Sequence, residues 1–196
     1  VVRVEFSMAG VSYMPILSGV LEYRVTSDGV LTVHAGVNVR ETAMPLPRFG
    51  MEFILPRGSE CLEYFGKGEQ ENYEDMCRSA RIGLYKSTVT DQYFPYIRPQ
   101  ETGNHTAARW LRVTNKVGGG LQFTGRPTFN FSALHFTAAD LETAMYTRDL
   151  RPREETIVRI DYKQTGVGSA SCGVKLAEKY QFKEKFFDFE FEVKPL

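Results

Sequence analysis

The sequence is poor in several things, and each deficit closes off a class of protein. It has no excess charge, because 24 Lys and Arg balance 24 Asp and Glu. No net field therefore draws the chain to nucleic acid or to an anionic membrane surface, and neither partner is expected. Its three cysteines, Cys61, Cys77 and Cys172, cannot all pair within one chain, and none stands at a C-x-x-C or Cys/His spacing. That argues against a disulfide framework and a zinc motif alike, so they read as free thiols. No apolar run approaches the roughly 20 residues of a membrane-spanning helix. There is no internal repeat and no low-complexity tract. Only His34, His105 and His135 offer an imidazole for proton transfer or metal binding.

Aromatic residues are plentiful. Fourteen Phe and ten Tyr on a charged background suit pleated, half-buried strands. At 196 residues the chain is long enough to bury a real core, and one domain is the expected count. The opening residues, Val1 to Phe6, look like neither a signal peptide nor a Met start. The expectation is a piece of something longer that begins inside a strand.

Alternation is strict from Leu21. Leu21, Tyr23 and Val25 point one way, Ser27-Asp28-Gly29 turns the chain, and Leu31, Val33, Ala35, Val37 and Val39 resume the pattern. His34 falls on the polar side of that hairpin. After Met44-Pro45-Leu46-Pro47 a strand is predicted over Phe49–Leu55. Residues 56–108 show little clean periodicity and read as long ordered loop with short strands, which leaves His105 in a polar loop. Strands are predicted again at Arg109–Thr114, Leu121–Thr124, Thr128–Phe136 and Thr156–Tyr162. The sharpest period-two stretch alternates Phe187, Phe189, Phe191 and Val193 with Asp188, Glu190, Glu192 and Lys194. One helical signal interrupts the strands, where Thr137 caps residues 137–145 with Asp140 three positions on. Short strands without βαβ rhythm predict an all-β fold of two stacked antiparallel sheets with that one short helix.

Three segments carry more information than the pattern. Gly66 to Asp75, GKGEQENYED, resembles a G-x-G-P-x-E-N-Y-x-D segment with Glu69 where proline is usual. Tyr93 to Asn104, YFPYIRPQETGN, is similar to a Y-x-x-P-Q-E-N-G-N stretch with Thr102 in place of asparagine. Phe129 to Phe136, FNFSALHF, runs into the capped helix. In this order and spacing they resemble the C-terminal domain of the large bacterial β-galactosidases of glycoside hydrolase family 2. The resemblance covers most of the chain from about Leu21.

The resemblance implies a supersandwich fold similar to that of galactose mutarotases. Family members carry further strands ahead of the position of Val1, so the sandwich is expected to lack its first strands. It also implies a parent that hydrolyses terminal β-D-galactosides such as lactose by a retaining double displacement between two carboxylates. In the family both carboxylates lie on a barrel domain, as does a catalytic divalent cation such as magnesium. This chain is therefore expected to be inactive alone, to have no cofactor of its own, and to pack on the barrel and other domains of its parent. A homo-oligomer is expected, and the compartment is left open between bacterial cytoplasm and periplasm.

Residue by residue, Glu71, Asn72 and Tyr73 have the chemistry to satisfy loop backbone, and with Arg98, Glu101 and Arg109 they are expected to pin the loops. Glu101 is expected to pair with Arg98 or Arg109, its neighbours in sequence. Glu69, Glu71, Glu74 and Asp75 lack the D-x-D-x-D-G frame of a calcium loop, so no metal site is expected among them. In relatives a loop of this domain reaches the active-site mouth and places an aromatic ring against sugar. The corresponding loop is Thr165 to Gly173, TGVGSASCG, with Gly168, Ser171 and Cys172 as candidate substrate-lining residues. Relatives carry tryptophan where this chain has Cys172, in a loop one residue shorter, which implies a more open acceptor subsite or a different aglycone preference in the parent enzyme. A Gly-rich turn that touches no sugar is the competing reading. His135 is a further sugar-lining candidate. Two other functions stay open: a free mutarotase or epimerase using His135 with a carboxylate such as Glu101, and a carbohydrate-binding module.

Overall fold

The computed structural model describes residues 1–168 and 173–196. Among them the chain forms β1 (Val2–Met8), β2 (Leu17–Val25) and β3 (Leu31–Val39), then β4 (Arg48–Leu55), β5 (Cys61–Gly68) and β6 (Arg81–Thr88). There follow β7 (His105–Thr114), β8 (Gly120–Leu134), the helix α1 (Ala138–Thr143), β9 (Thr156–Gln164) and β10 (Phe186–Pro195). All strand pairs are antiparallel. The main sheet runs β1-β2-β3-β10-β8-β7-β5-β6, while β9 pairs with β8 and β4 with β9.

The hairpin predicted around Asp28 closes through Thr26 and Val30, with Gly29 at a φ of 80° that only glycine adopts at no steric cost. Its register sets Leu21 opposite Ala35 and Tyr23 opposite Val33. On the far side of β3 lie Phe189 and Phe191 of the alternating last strand. Every apolar residue of this pattern consequently faces one side.

β8 joins the two layers. Residues 121–126 pair with β10, and residues 130–134 pair with β9. The strand changes partner around Pro127, which has no N–H to give a ladder. The sequence pattern suggested two separate strands here, because Gly125-Arg126-Pro127 interrupts the alternation. In the structure the chain continues as one strand that bends from one layer into the other. β4 and β9 then lie over β10 and its neighbours, with Phe53 5.0 Å from Phe123 and 6.0 Å from Phe191, and Tyr162 stacked 4.6 Å from Phe187. The fold is an all-β two-layer sandwich. Between the layers Val33, Ala35, Val37, Leu111, Phe123, Val158, Ile160 and Phe191 are fully buried. Each large side chain buried this way contributes about 1.5–3 kcal/mol relative to exposure.

Within the stretch read as mostly loop, β5 and β6 are full eight-residue strands. Inward-facing glycines hid the period. A Cβ on Gly66 would lie 2.9 Å from the Ala108 Cα, and one on Gly68 would lie 2.3 Å from the Tyr64 hydroxyl. Close packing of Tyr64 and Tyr85 therefore uses positions where an apolar side chain would otherwise mark the strand. Helix α1 is capped as expected: the Asp140 N–H donates to Thr137 Oγ1 at 3.1 Å and the Thr137 N–H to Asp140 Oδ2 at 2.8 Å. Arg153 binds both oxygens of Asp140 and holds that carboxyl far below the usual carboxylate range. Leu141 anchors the helix on a second small cluster with Leu134, Phe136, Ala144 and Leu150.

Candidate functional site

The loops after β5 and before β7 lie against each other because two consecutive residues, Glu71 and Asn72, tie them together. Glu71 Oε2 accepts the Gly103 N–H at 2.7 Å and the Thr102 hydroxyl at 3.2 Å, and Oε1 accepts the Tyr96 hydroxyl. Burial, reinforced by the adjacent Glu71 carboxylate, pushes the Tyr96 hydroxyl up to about 12. Asn72, 1% exposed, donates to the Lys67 and Gln70 carbonyls and accepts from the Thr106 N–H and hydroxyl. Its own N–H donates to the Asn104 carbonyl at 2.7 Å, and the Asn104 amide returns a bond to the Asn72 carbonyl at 2.8 Å. Tyr73 is buried, and its backbone exchanges two hydrogen bonds with Met76 to make a tight turn.

Glu101 does not meet Arg98 or Arg109. Its Oε2 accepts from Arg48 Nη1 at 2.9 Å and lies 4.0 Å from Arg159 Nη1. Arg48 also forks onto Asp161, so β4, β9 and the loop before β7 converge on one guanidinium. Burial raises the Asp161 carboxyl to about 6 against the pull of Arg48. Arg98 is exposed at the loop surface. Arg109 donates to the Ala107 carbonyl at 2.8 Å and sits 5.7 Å from the Phe65 ring centroid. The expected pairing rested on nearness in sequence, whereas the real partner comes from a different strand.

The histidines are all engaged. His135 Nδ1 lies 2.9 Å from the Glu155 carbonyl and Nε2 lies 2.7 Å from Glu60 Oε2. Its carboxylate is thus Glu60, whose other oxygen accepts the Thr90 N–H. Glu101 is not brought to it. His105 lies in β7, 1% exposed, where the sequence pattern suggested a polar loop. Its Nε2 lies 2.6 Å from Gln92 Oε1, which can only accept, so Nε2 carries the proton and Nδ1 accepts the Tyr64 hydroxyl at 3.1 Å. Burial lowers this imidazole to about 4. His34 sits on the outer sheet face, 3.2 Å from Asp188.

The loop that follows β9 is clamped at its base. The Thr165 N–H donates to the Pro47 carbonyl, the Thr165 hydroxyl to the Leu46 carbonyl, and the Phe182 N–H to that hydroxyl. The Gly166 N–H donates to the Tyr180 carbonyl. The Val167 and Gly168 N–H groups then both donate to the Asp75 carboxylate. Ser171 and Cys172 lie outside the described residues, so of the substrate-lining candidates in this loop only Gly168 is placed.

A family model described as β-galactosidase small chain matches residues 1–194. The chain belongs to that family. It is 33% identical over 195 residues to a β-galactosidase of Actinobacillus pleuropneumoniae, covering 97% of this chain and 19% of that protein. It is 32% identical over 190 residues to one of Staphylococcus xylosus, again covering 97% and 19%. A β-galactosidase of Kluyveromyces lactis is 35% identical over 148 residues, 75% of this chain and 14% of that protein. The small-chain domain thus spans about a fifth of the length of its first two relatives.

Two features of the small-chain domain escaped the sequence. In the sequence Asp75 stands among Glu69, Glu71 and Glu74 as a possible cation ligand, yet its carboxylate is spent on the backbone of a loop 92 and 93 residues away. The buried Tyr64–His105–Gln92 chain was invisible because no local pattern marks a histidine that enters a core. The only available signal for Asp75 was its place in the GKGEQENYED segment.

Proposed function

We propose that this chain is a non-catalytic domain of a retaining β-galactosidase, supporting the catalytic barrel of its parent and lining the active-site mouth through residues 165–173. The observation that carries this reading is the clamped base of that loop. Six backbone and side-chain hydrogen bonds, from Thr165, Gly166, Val167, Gly168 and Phe182, hold its first four residues in one geometry. A plain surface turn does not require such holding. The engaged carboxylates of the described residues speak for support rather than chemistry. Glu71 accepts from the hydroxyls and backbone of neighbouring loops, Glu101 and Asp161 share Arg48, and Glu60 is divided between His135 and Thr90. A nucleophile and an acid/base in a retaining glycosidase must instead face the sugar freely across about 5 Å.

In the parent, the sugar's C–H face would meet this loop at the acceptor side. Cys172 stands where relatives have tryptophan, so the subsite lacks an aromatic platform and accepts bulkier or less oriented aglycones. Cys172→Trp in the assembled enzyme is expected to change the rate on lactose relative to an aryl β-galactoside. Unchanged relative rates would remove the loop from the substrate path. A mutarotase would need an imidazole free to move a proton at an anomeric centre, and both nitrogens of His135 already face protein acceptors.

A further inference from the structure

Among the described residues β6 is the last strand of the main sheet, paired with β5 on one side and with no strand on the other. Half of its backbone N–H and C=O groups therefore point at an open edge. That edge has few of the usual deterrents to pairing. Its register with β5 runs unbroken over eight residue pairs, with no bulge, and the strand has no proline. Lys86, whose charge could discourage a partner, is drawn onto β5, its Nζ 3.1 Å from Glu63 Oε1.

The outer face of the sheet changes character at this edge. On β2, β3 and β10 it presents charged and polar groups such as Glu22, Arg24, His34, Asp188 and Glu190. On β6 it presents Ile82 and Leu84, 51% and 57% exposed. Leu84 stands opposite Phe65 of β5, and Phe65 opposite Trp110 of β7, so an apolar row runs inward from the edge. Cations surround that row. Lys67 is opposite Ile82, Lys86 and Arg112 flank Glu63, and Arg109 lies 5.7 Å from the Phe65 ring centroid. Four cations against one carboxylate make a local excess in a chain whose charges balance overall.

We propose that the β6 edge docks an extended acidic segment of the parent β-galactosidase, from outside residues 1–196, as the next strand of the sheet. Backbone bonds to β6 would supply affinity, and the outward side chains selectivity. Opposite Ile82, Leu84 and Lys86 the segment presents two apolar residues and then a carboxylate, at alternate positions. Charge names the partner: a second copy of this face would set cations against cations, whereas an acidic strand offsets them. Length names its source. The chain spans about a fifth of its first two relatives, so the segment can be tethered to the domain and always present, as an exposed apolar edge requires. The proposal rests on the reading of this chain as one domain of a larger enzyme.

The test uses the assembled parent enzyme and two readouts. In amide exchange, the β6 amides that point away from β5 should be as protected as those of β5 itself. Leu84→Ser and Lys86→Ala, both at exposed positions, should each lower that protection, Leu84→Ser on the order of 10- to 100-fold, while β8 and β10 keep theirs. Protection should also weaken as ionic strength rises. In carbodiimide coupling followed by peptide mapping, Lys86 or Lys67 should join an Asp or Glu of the same parent chain outside residues 1–196.

Free exchange along the β6 edge, or coupling of Lys86 to Glu63 alone, overturns the proposal, because the edge is then uncovered. Coupling between two chains, or protection that follows enzyme concentration, overturns it as well by assigning the wrong occupant. Cys172→Trp keeps this failure apart from that of the underlying reading. If it alters the substrate ratio while β6 exchanges freely, the mouth assignment stands and only the docking edge falls. If it is silent while β6 is protected, the docking edge stands and the mouth assignment falls.

Discussion

His105 gives the domain an acid sensitivity whose size follows from its burial. Its imidazole titrates near 4 in the folded chain because the side chain is sealed beneath Tyr64 and Phe131. An unfolded histidine titrates near 6.5. Below that value the unfolded chain takes up a proton that the folded chain refuses, so this group's contribution falls as pH drops from about 6.5 towards 4. Between pH 7 and pH 4.5 the linkage relation gives a loss on the order of 2–3 kcal/mol from this one residue. Carboxylates titrate in the same window, so the quantity to measure is the difference between wild type and His105→Gln. Urea unfolding at low protein concentration, followed by fluorescence of the single tryptophan, Trp110, supplies it. Wild type should lose on the order of 2–3 kcal/mol more than the variant between these two pH values. The variant is expected to be less stable at pH 7, because the Tyr64 hydroxyl loses its acceptor. Equal pH slopes in the two proteins would refute the reasoning.

Other consequences can be checked by the same unfolding assay. Asn72→Ala strands the Lys67 and Gln70 carbonyls and the Thr106 donors, and should cost about 2–4 kcal/mol. A loss under 1 kcal/mol would mean that water replaces the amide without penalty. Arg48→Met leaves Asp161 buried with Glu101 and without its principal cation, for an expected loss of about 3–5 kcal/mol. Unfolding of Arg48→Met at the wild-type urea concentration would show that the pairing contributes little to stability. Apolar residues on the inward side of β1 and β2 are open to solvent, with Val2 61%, Val4 41%, Met8 57% and Val25 68% exposed. The isolated chain is therefore expected to self-associate as concentration rises, and a single monomeric species across the range in sedimentation would count against that.

The sheet was legible wherever one face is buried and the other wet. β3 and β10 alternate without a break, and their register places Val33, Ala35 and Val37 against Phe191, Phe189 and Phe187 as the pattern requires. The capping box of α1 was equally legible, because Thr137 and Asp140 act within four residues. Reading failed where glycine replaces the expected apolar residue, as at Gly66 and Gly68, and where one strand serves two layers, as in β8. At the candidate site the sequence pointed to Glu71, Asn72 and Tyr73 by residue type. It missed the partners that make the site cohere. Arg48 reaches Glu101 across 53 residues and Asp75 reaches the loop across more than 90, and no local pattern encodes contacts of that range.

The central claim is that this domain completes the mouth of a catalytic barrel and performs no chemistry of its own. The most direct measurement is β-galactoside hydrolysis by three preparations: this chain alone, the remainder of the parent enzyme without it, and the two combined. The account predicts no turnover by the chain, a severe defect in the remainder on lactose, and recovery on recombination. Hydrolysis by the chain alone, or full lactose activity in the remainder without it, would contradict the account.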